Sequence, residues 1–221
     1  MERPIILNTE MVKAVLEGRK TQTRDVIKPQ PRKGLEFIKM VHDWQGKAQA
    51  ELETPSGYSD PLMYHPLCPH GKVGDRLWVR EMFEIWTDGT GWECITYKAD
   101  NYSCFLSNLS IKHDAHFDKK KWKSPVTMSR RASRITLEIV DIRVERLQDI
   151  DCEDAVTEGI ECELCHNSGY ITLNEHKQEE CHCDTADLFA ILWNSIHKKE
   201  HRWEDNKRVW VREFKRIKDK K

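Results

Sequence analysis

Four cysteines late in the chain set the first constraint on its fold. Cys162-Glu-Leu-Cys165 and Cys181-His-Cys183 stand fifteen residues apart, inside a stretch from Glu158 to Asp184 whose charged side chains are mostly acidic and which is poor in large apolar side chains. Such a segment cannot bury thiols in a core of its own. Paired cysteines on two tight turns instead supply a tetrahedral thiolate set for zinc with little chain strain. Residues 161–184 are therefore expected to form an inserted four-cysteine zinc ribbon or knuckle. Its ion is expected to be structural, because four protein ligands leave no coordination position open. The second pair is CxC rather than CxxC, and His166, His176 or His182 could replace one thiolate. Residues 1–160 and 185–221 must then form one domain closed around the insert.

A chain of 221 residues suits one domain with such an elaboration. Hydrophobic residues make up 38% and charged residues 33%, so a packed core must coexist with a strongly ionic surface. Eight tryptophans help to fill that core. No apolar run is long enough to cross a bilayer, and Met1-Glu2-Arg3-Pro4 lacks the basic start and apolar stretch expected of a signal peptide. A cytoplasmic location is expected, where thiols stay reduced and clustered cysteines point to metal. The net charge of −1 excludes a uniformly basic polyanion binder. A local basic face remains, because Lys119, Lys120, Lys121, Lys123, Arg130, Arg131 and Arg134 crowd one stretch. Cys68, Cys94, Cys104 and Cys152 are scattered and read as packing residues, with Cys68-Pro69-His70 and His65 a lesser metal alternative.

Hydrophobic periodicity predicts many short strands and few helices. Arg3 to Leu7 reads as a strand, and Asn8 caps a helix carrying Met11, Val12, Val15 and Leu16 before Gly18 stops it. Residues 18–24 read as a polar turn. Leu35 to Val41 and Lys47 to Leu52 read as hairpin arms. Arg76 to Phe83 and Cys94 to Ala99 follow as strands, and Asp100 to Thr127 as irregular chain. Ser133 to Leu147 alternates most clearly, with Ile135, Leu137 and Ile139 on one face. A short helix ends at Gly159, an amphipathic helix carries Leu188, Ile191, Leu192 and Ile196, and Arg208 to Ile217 closes the chain as a strand. The class is α+β, with a small mixed β-barrel and flanking helices.

Lys20 and Thr23 lie three residues apart in the polar turn. A buried lysine can activate a hydroxyl as a nucleophile, and a nearby carboxylate can manage proton transfer. The residues alone leave that carboxylate open among many, and leave a solvated helix end as the plainer alternative.

Asn8-Thr9-Glu10, Gly18-Arg19-Lys20-Thr21-Gln22-Thr23-Arg24 and Gly71-Lys72-Val73-Gly74-Asp75-Arg76-Leu77-Trp78-Val79-Arg80-Glu81 appear in order. Tyr97-Lys98-Ala99-Asp100, Ser133 to Glu138, Asp154 to Ile160 and Trp210-Val211-Arg212-Glu213-Phe214 follow them. This ordered set resembles the ASCH domain of the PUA-like superfamily, in particular the longer ASCH proteins of phages and prophages. The resemblance spans nearly the whole chain outside the cysteine insert and parts of the loops. It implies a PUA-like barrel with a cleft for RNA, DNA or a modified nucleoside. Small ASCH enzymes that deacetylate N-acetylcytidine use a lysine and threonine of the GRKTxT turn with a later glutamate. Carried over, Thr23 is the nucleophile, Lys20 its activator, Glu158 the acid/base and Arg24 a substrate-orienting group. The chain departs from those enzymes in being about twice their size, in Lys119 to Lys123 and in the insert.

Competing expectations follow from the same residues. A non-catalytic reader would stack a base on Trp78, Trp86 or Trp122 and meet phosphate with Arg80, Arg130 and Arg134. A ribonuclease finds no histidine pair or acidic metal cluster in the sequence. A phage accessory protein would dock a protein partner through its zinc module.

Overall fold

A computed structural model describes residues 1–30, 36–42, 48–53, 67–113, 121–161, 172–173, 179–180, 185–197 and 200–217. Its chain divides into two compact units, each discontinuous in sequence. The class is α+β and sheet-rich, as expected; no closed barrel is found among the described residues.

The first unit comprises Met1–Gly18, Val73–Val140 and Phe214–Lys221. Strand β1 (Glu2–Ile6) pairs in parallel with β5 (Arg76–Arg80), and β5 pairs antiparallel with the start of β10 (Thr136–Arg146). Helix α1 (Thr9–Glu17) starts where Asn8 accepts a hydrogen bond from the Met11 backbone N–H at 2.8 Å. It ends at Gly18, whose φ of +83° lets its N–H turn back to the carbonyls of Ala14 and Val15. Val12 and Val15 are buried, as their helical spacing predicts.

An antiparallel meander follows: β6 (Phe83–Thr87), β7 (Glu93–Tyr97), β8 (Ser103–Phe105) and β9 (Asn108–Lys112). Phe83, Ile95, Tyr97, Cys104, Met128 and Ala132 form its core. Two expectations fail here. The predicted strand Arg76 to Phe83 breaks at Glu81, whose buried carboxylate is held by Arg134, and residues 103–112 form a hairpin rather than irregular chain.

The second unit comprises Arg19–Lys72 and Asp141–Glu213. Its sheet places the later part of β10, then β13 (Arg208–Ile217), then β2 (Gln22–Val26), with β13 and β2 antiparallel. The residues read as a polar turn thus include a strand. Hairpin β3 (Glu36–His42) and β4 (Ala48–Glu53) forms where expected, its connecting residues lying outside the described ones. Helices α2 (Cys152–Thr157) and α3 (Thr185–Ile196) contribute to a core of Leu147, Ile150, Ala155, Ile160, Phe189, Trp193, Val209 and Val211. The expected 161–184 insert falls within this unit. Its described part is the two-residue pairing of β11 (Thr172–Leu173) with β12 (Glu179–Glu180).

Among the described residues no helix is long and apolar enough to cross a membrane. Asn8→Ala is expected to cost about 1 kcal/mol through the lost cap. Leu137→Ala, at a fully buried site, should cost about 2–5 kcal/mol. Urea unfolding of both variants checks the contrast.

Candidate functional site

Strand geometry determines which groups of the second unit meet. Successive side chains of a strand point to opposite faces, so Gln22 and Arg24 share one face of β2 while Thr23 and Asp25 share the other. Across the β13 pairing, Thr23 stands opposite Arg212, and Gln22 opposite Glu213.

On the Gln22–Arg24 face, helix α2 brings two acids. Asp151 caps α2 by accepting from the Asp154 N–H at 2.7 Å, and Gly159 at φ +95° follows its last residues. Asp154 and Glu158, four residues apart, therefore stand one helical turn from each other. The Lys20 ammonium donates to the Glu158 carboxylate at 2.8 Å, to the Glu158 carbonyl at 2.6 Å and to the Gln22 carbonyl at 2.8 Å. It meets both the charge of Glu158 and a carbonyl at the helix C-terminus, where a cation is favoured.

Arg24 completes the group. It donates to Glu158 at 3.1 Å, to Glu145 at 3.0 Å and to Asp154 at 2.5 Å. The side chains of Lys20 and Arg24 have no exposed surface, and that of Glu158 is 4% exposed. Arg143 extends the network to Glu145, Asp154, Gln22 and Glu213. Burial works against the charge of Asp154, but the Gln22 amide and the Arg24 and Arg143 guanidinium groups hold its carboxyl below the usual range.

The structure thus joins Lys20, Arg24 and Glu158. It does not bring Thr23 into the same hydrogen-bonded set. Thr23 lies half-buried on the opposite face of β2, with Asp25 and the buried Arg212. Arg212 pairs with Asp25, and His70 stands 3.9 Å from the same carboxylate. Burial opposes the charge of Asp25, yet Arg212 and His70 hold its carboxyl low.

No protein-family model, curated protein or solved structure matches the chain.

The expected base-stacking and phosphate-binding residues lie in the first unit, and most have partners within the chain. Trp78 is buried with the Arg80 guanidinium 4.7 Å from its ring centre. Arg130 donates to Glu2 at 2.9 Å and to Thr136 at 3.3 Å. Arg134 forks onto Glu81 and Asp100 and lies 4.1 Å above the Tyr97 ring. Burial pushes the Glu81 carboxyl up despite that arginine. The Trp86 indole donates to Thr96 at 3.0 Å, and Trp122 is half-buried.

Cys162, Cys165, Cys181 and Cys183 lie outside the described residues, as do His65, His166, His176 and His182. Among the described residues, one group could hold an ion: Asp88, Cys94 and His113 in the first unit, with ligand atoms all within 4.8 Å of one another. In the sequence Cys94 reads as a packing residue, because three ligands so widely spaced make no motif. Asp154 carries a usable signal that the expected site leaves out, a carboxylate four residues before Glu158 on a predicted helix.

Removing Lys20 leaves Glu158 buried with Arg24 as its remaining cation. Lys20→Met is expected to destabilise by about 3–5 kcal/mol, and Lys20→Met with Glu158→Leu by less than the sum of the two single changes. Denaturant midpoints of the three variants test this. The depressed Asp154 carboxyl contributes stability above its ordinary value of 3.8, lost as pH falls through its lower folded value. Asp154→Asn should be less stable at neutral pH and lose less stability over that acid window.

Proposed function

We propose that the chain is an ASCH-like protein that binds a modified nucleoside, or RNA or DNA carrying one, and removes an acyl group from a cytidine-type base. The observation that supports this reading is the buried Lys20–Glu158 contact. The sequence resemblance pairs the same two residues, which lie 138 positions apart. A direct contact between two residues chosen for chemistry rather than for packing is what a shared active centre requires.

In this reaction the Lys20 ammonium passes a proton to Glu158 and, as the free amine, takes the proton of the Thr23 hydroxyl as it attacks the acyl carbon. Glu158 gives its proton to the departing base nitrogen as the carbon–nitrogen bond breaks, and water then releases the acyl group from Thr23. Thr23 stands on the other face of β2 from Gln22 and Arg24, so this role needs a local turn of the strand when substrate binds. Arg24 holds Glu158 in place rather than contacting substrate directly.

The second reading is a non-catalytic reader of nucleic acid or modified base. It is favoured by the full burial of Lys20 and Arg24, whose charges are already met by carboxylates of the chain. On that reading the cluster only shapes the domain. A four-cysteine zinc ion at Cys162, Cys165, Cys181 and Cys183 belongs to both readings, as a structural module and a docking surface for a protein partner.

Hydrolysis of N-acetylcytidine, followed by chromatography, separates the two. The hydrolase reading predicts turnover that falls at least a hundredfold in Thr23→Ala while thermal unfolding is unchanged. No turnover of any acylated nucleoside, together with retained binding of the nucleoside, establishes the reader instead.

A further inference from the structure

We infer that Asp88, Cys94 and His113 form a second, zinc-class metal site, distinct from the cysteine insert and built on the four-stranded sheet of the first unit. The register of that sheet assembles it. Trp86 stands opposite Cys94 on β6 and β7, and Cys94 opposite Phe105 on β7 and β8. Directly opposed residues share a face, so Trp86, Cys94 and Phe105 form a row across three strands. His113, one residue beyond β9, is tied to the sheet by its backbone N–H on the Ser103 carbonyl at 2.9 Å. Its imidazole meets both outer rings of that row edge-on, with centres 5.2 Å from Trp86 and 5.0 Å from Phe105. The ring is thereby fixed beside the thiol between them.

The third ligand is oriented just as firmly. One oxygen of Asp88 accepts from the Thr90 N–H at 2.9 Å, the Thr90 hydroxyl at 2.7 Å and the Trp92 N–H at 2.9 Å. Gly91, at φ +91°, permits the tight connection that presents those donors. The other carboxylate oxygen is left facing His113 Nε2 at 3.5 Å. That distance is beyond an ordinary hydrogen bond. It is close to the spacing of two ligands on one ion: zinc bonds of ~2.0 Å to N and O and ~2.3 Å to S place tetrahedral ligands roughly 3.3–3.6 Å apart. The Asp88 and His113 atoms already stand at that spacing, and all three ligand atoms lie within 4.8 Å of one another.

Bound through Nε2, the ring would take its orientation from the two aromatic contacts rather than from a hydrogen bond at Nδ1, which is buried without a partner. Thiolate, imidazole and carboxylate together suit zinc or cobalt and not magnesium or calcium, which take oxygen ligands. Three protein ligands leave a fourth position for water or a small anion. His113 is 26% exposed, so the site can be reached from solvent.

Cobalt(II) is the probe, titrated into the metal-stripped full chain and counted by native mass spectrometry, with the thiolate-to-cobalt absorption band as the spectroscopic signature. Cys94→Ser, His113→Gln and Asp88→Asn should each bind one ion fewer than the wild type, whatever the insert holds. A chain with both Cys162 and Cys165 changed to Ser should keep the ion that depends on Cys94. His113→Gln and Asp88→Asn alter partly exposed side chains, so they test the site even if Cys94→Ser fails to fold. Equal cobalt stoichiometry in the wild type and in folded His113→Gln and Asp88→Asn would overturn the assignment.

Discussion

Lys20 and Arg24 are charged side chains with no exposed surface, and the second unit is organised around neutralising them. Taking such ions out of water costs several kcal/mol each unless partners meet them closely. The partners come from separate parts of the chain. Glu158 and Asp154 arrive on α2, and Glu145 on the later part of β10. Each would be a costly isolated charge without the others. The cluster therefore ties β2, α2 and β10 together within the unit through charged contacts.

The same arrangement bears on chemistry. A hydrogen-bonded lysine and glutamate in a dry setting feel each other strongly, because little water screens them. Arg24 bonds the second oxygen of Glu158, so the carboxylate cannot rotate freely. A fixed acid beside a fixed amine suits proton transfer. It suits a purely structural ion cluster equally well. What separates the two is whether a ligand reaches the pair, and Thr23 on the other face of β2 is the group whose movement would reveal it.

Local signals in the sequence were reliable where backbone chemistry is local. Asn8, Gly18 and Gly159 mark helix ends, and the alternation through Ile135, Leu137 and Ile139 marks the long strand. Legibility failed where polar side chains are buried. Gln22 and Arg24 face inward on β2, yet hydrophobic periodicity cannot register an inward arginine, so the strand read as a turn. The hairpin at 103–112 is short, with a register shift between Cys104 and Phe105 that interrupts its pairing. Lys20 and Glu158 stand out only through the family resemblance, and their distance in sequence hides the contact from any local rule. Asp88, Cys94 and His113 were hidden for the same reason, because only strand register brings them to one place.

If a nucleoside engages the buried Lys20–Glu158 pair, the ammonium of Lys20 reports on this directly. Its nitrogen resonance, in protein labelled with nitrogen-15 at lysine Nζ and assigned by its loss in Lys20→Met, should move when N-acetylcytidine is added to saturation. Unmodified cytidine should move it less. A Lys20 resonance that stays in place while N-acetylcytidine demonstrably binds would contradict the account and leave the pair a structural feature.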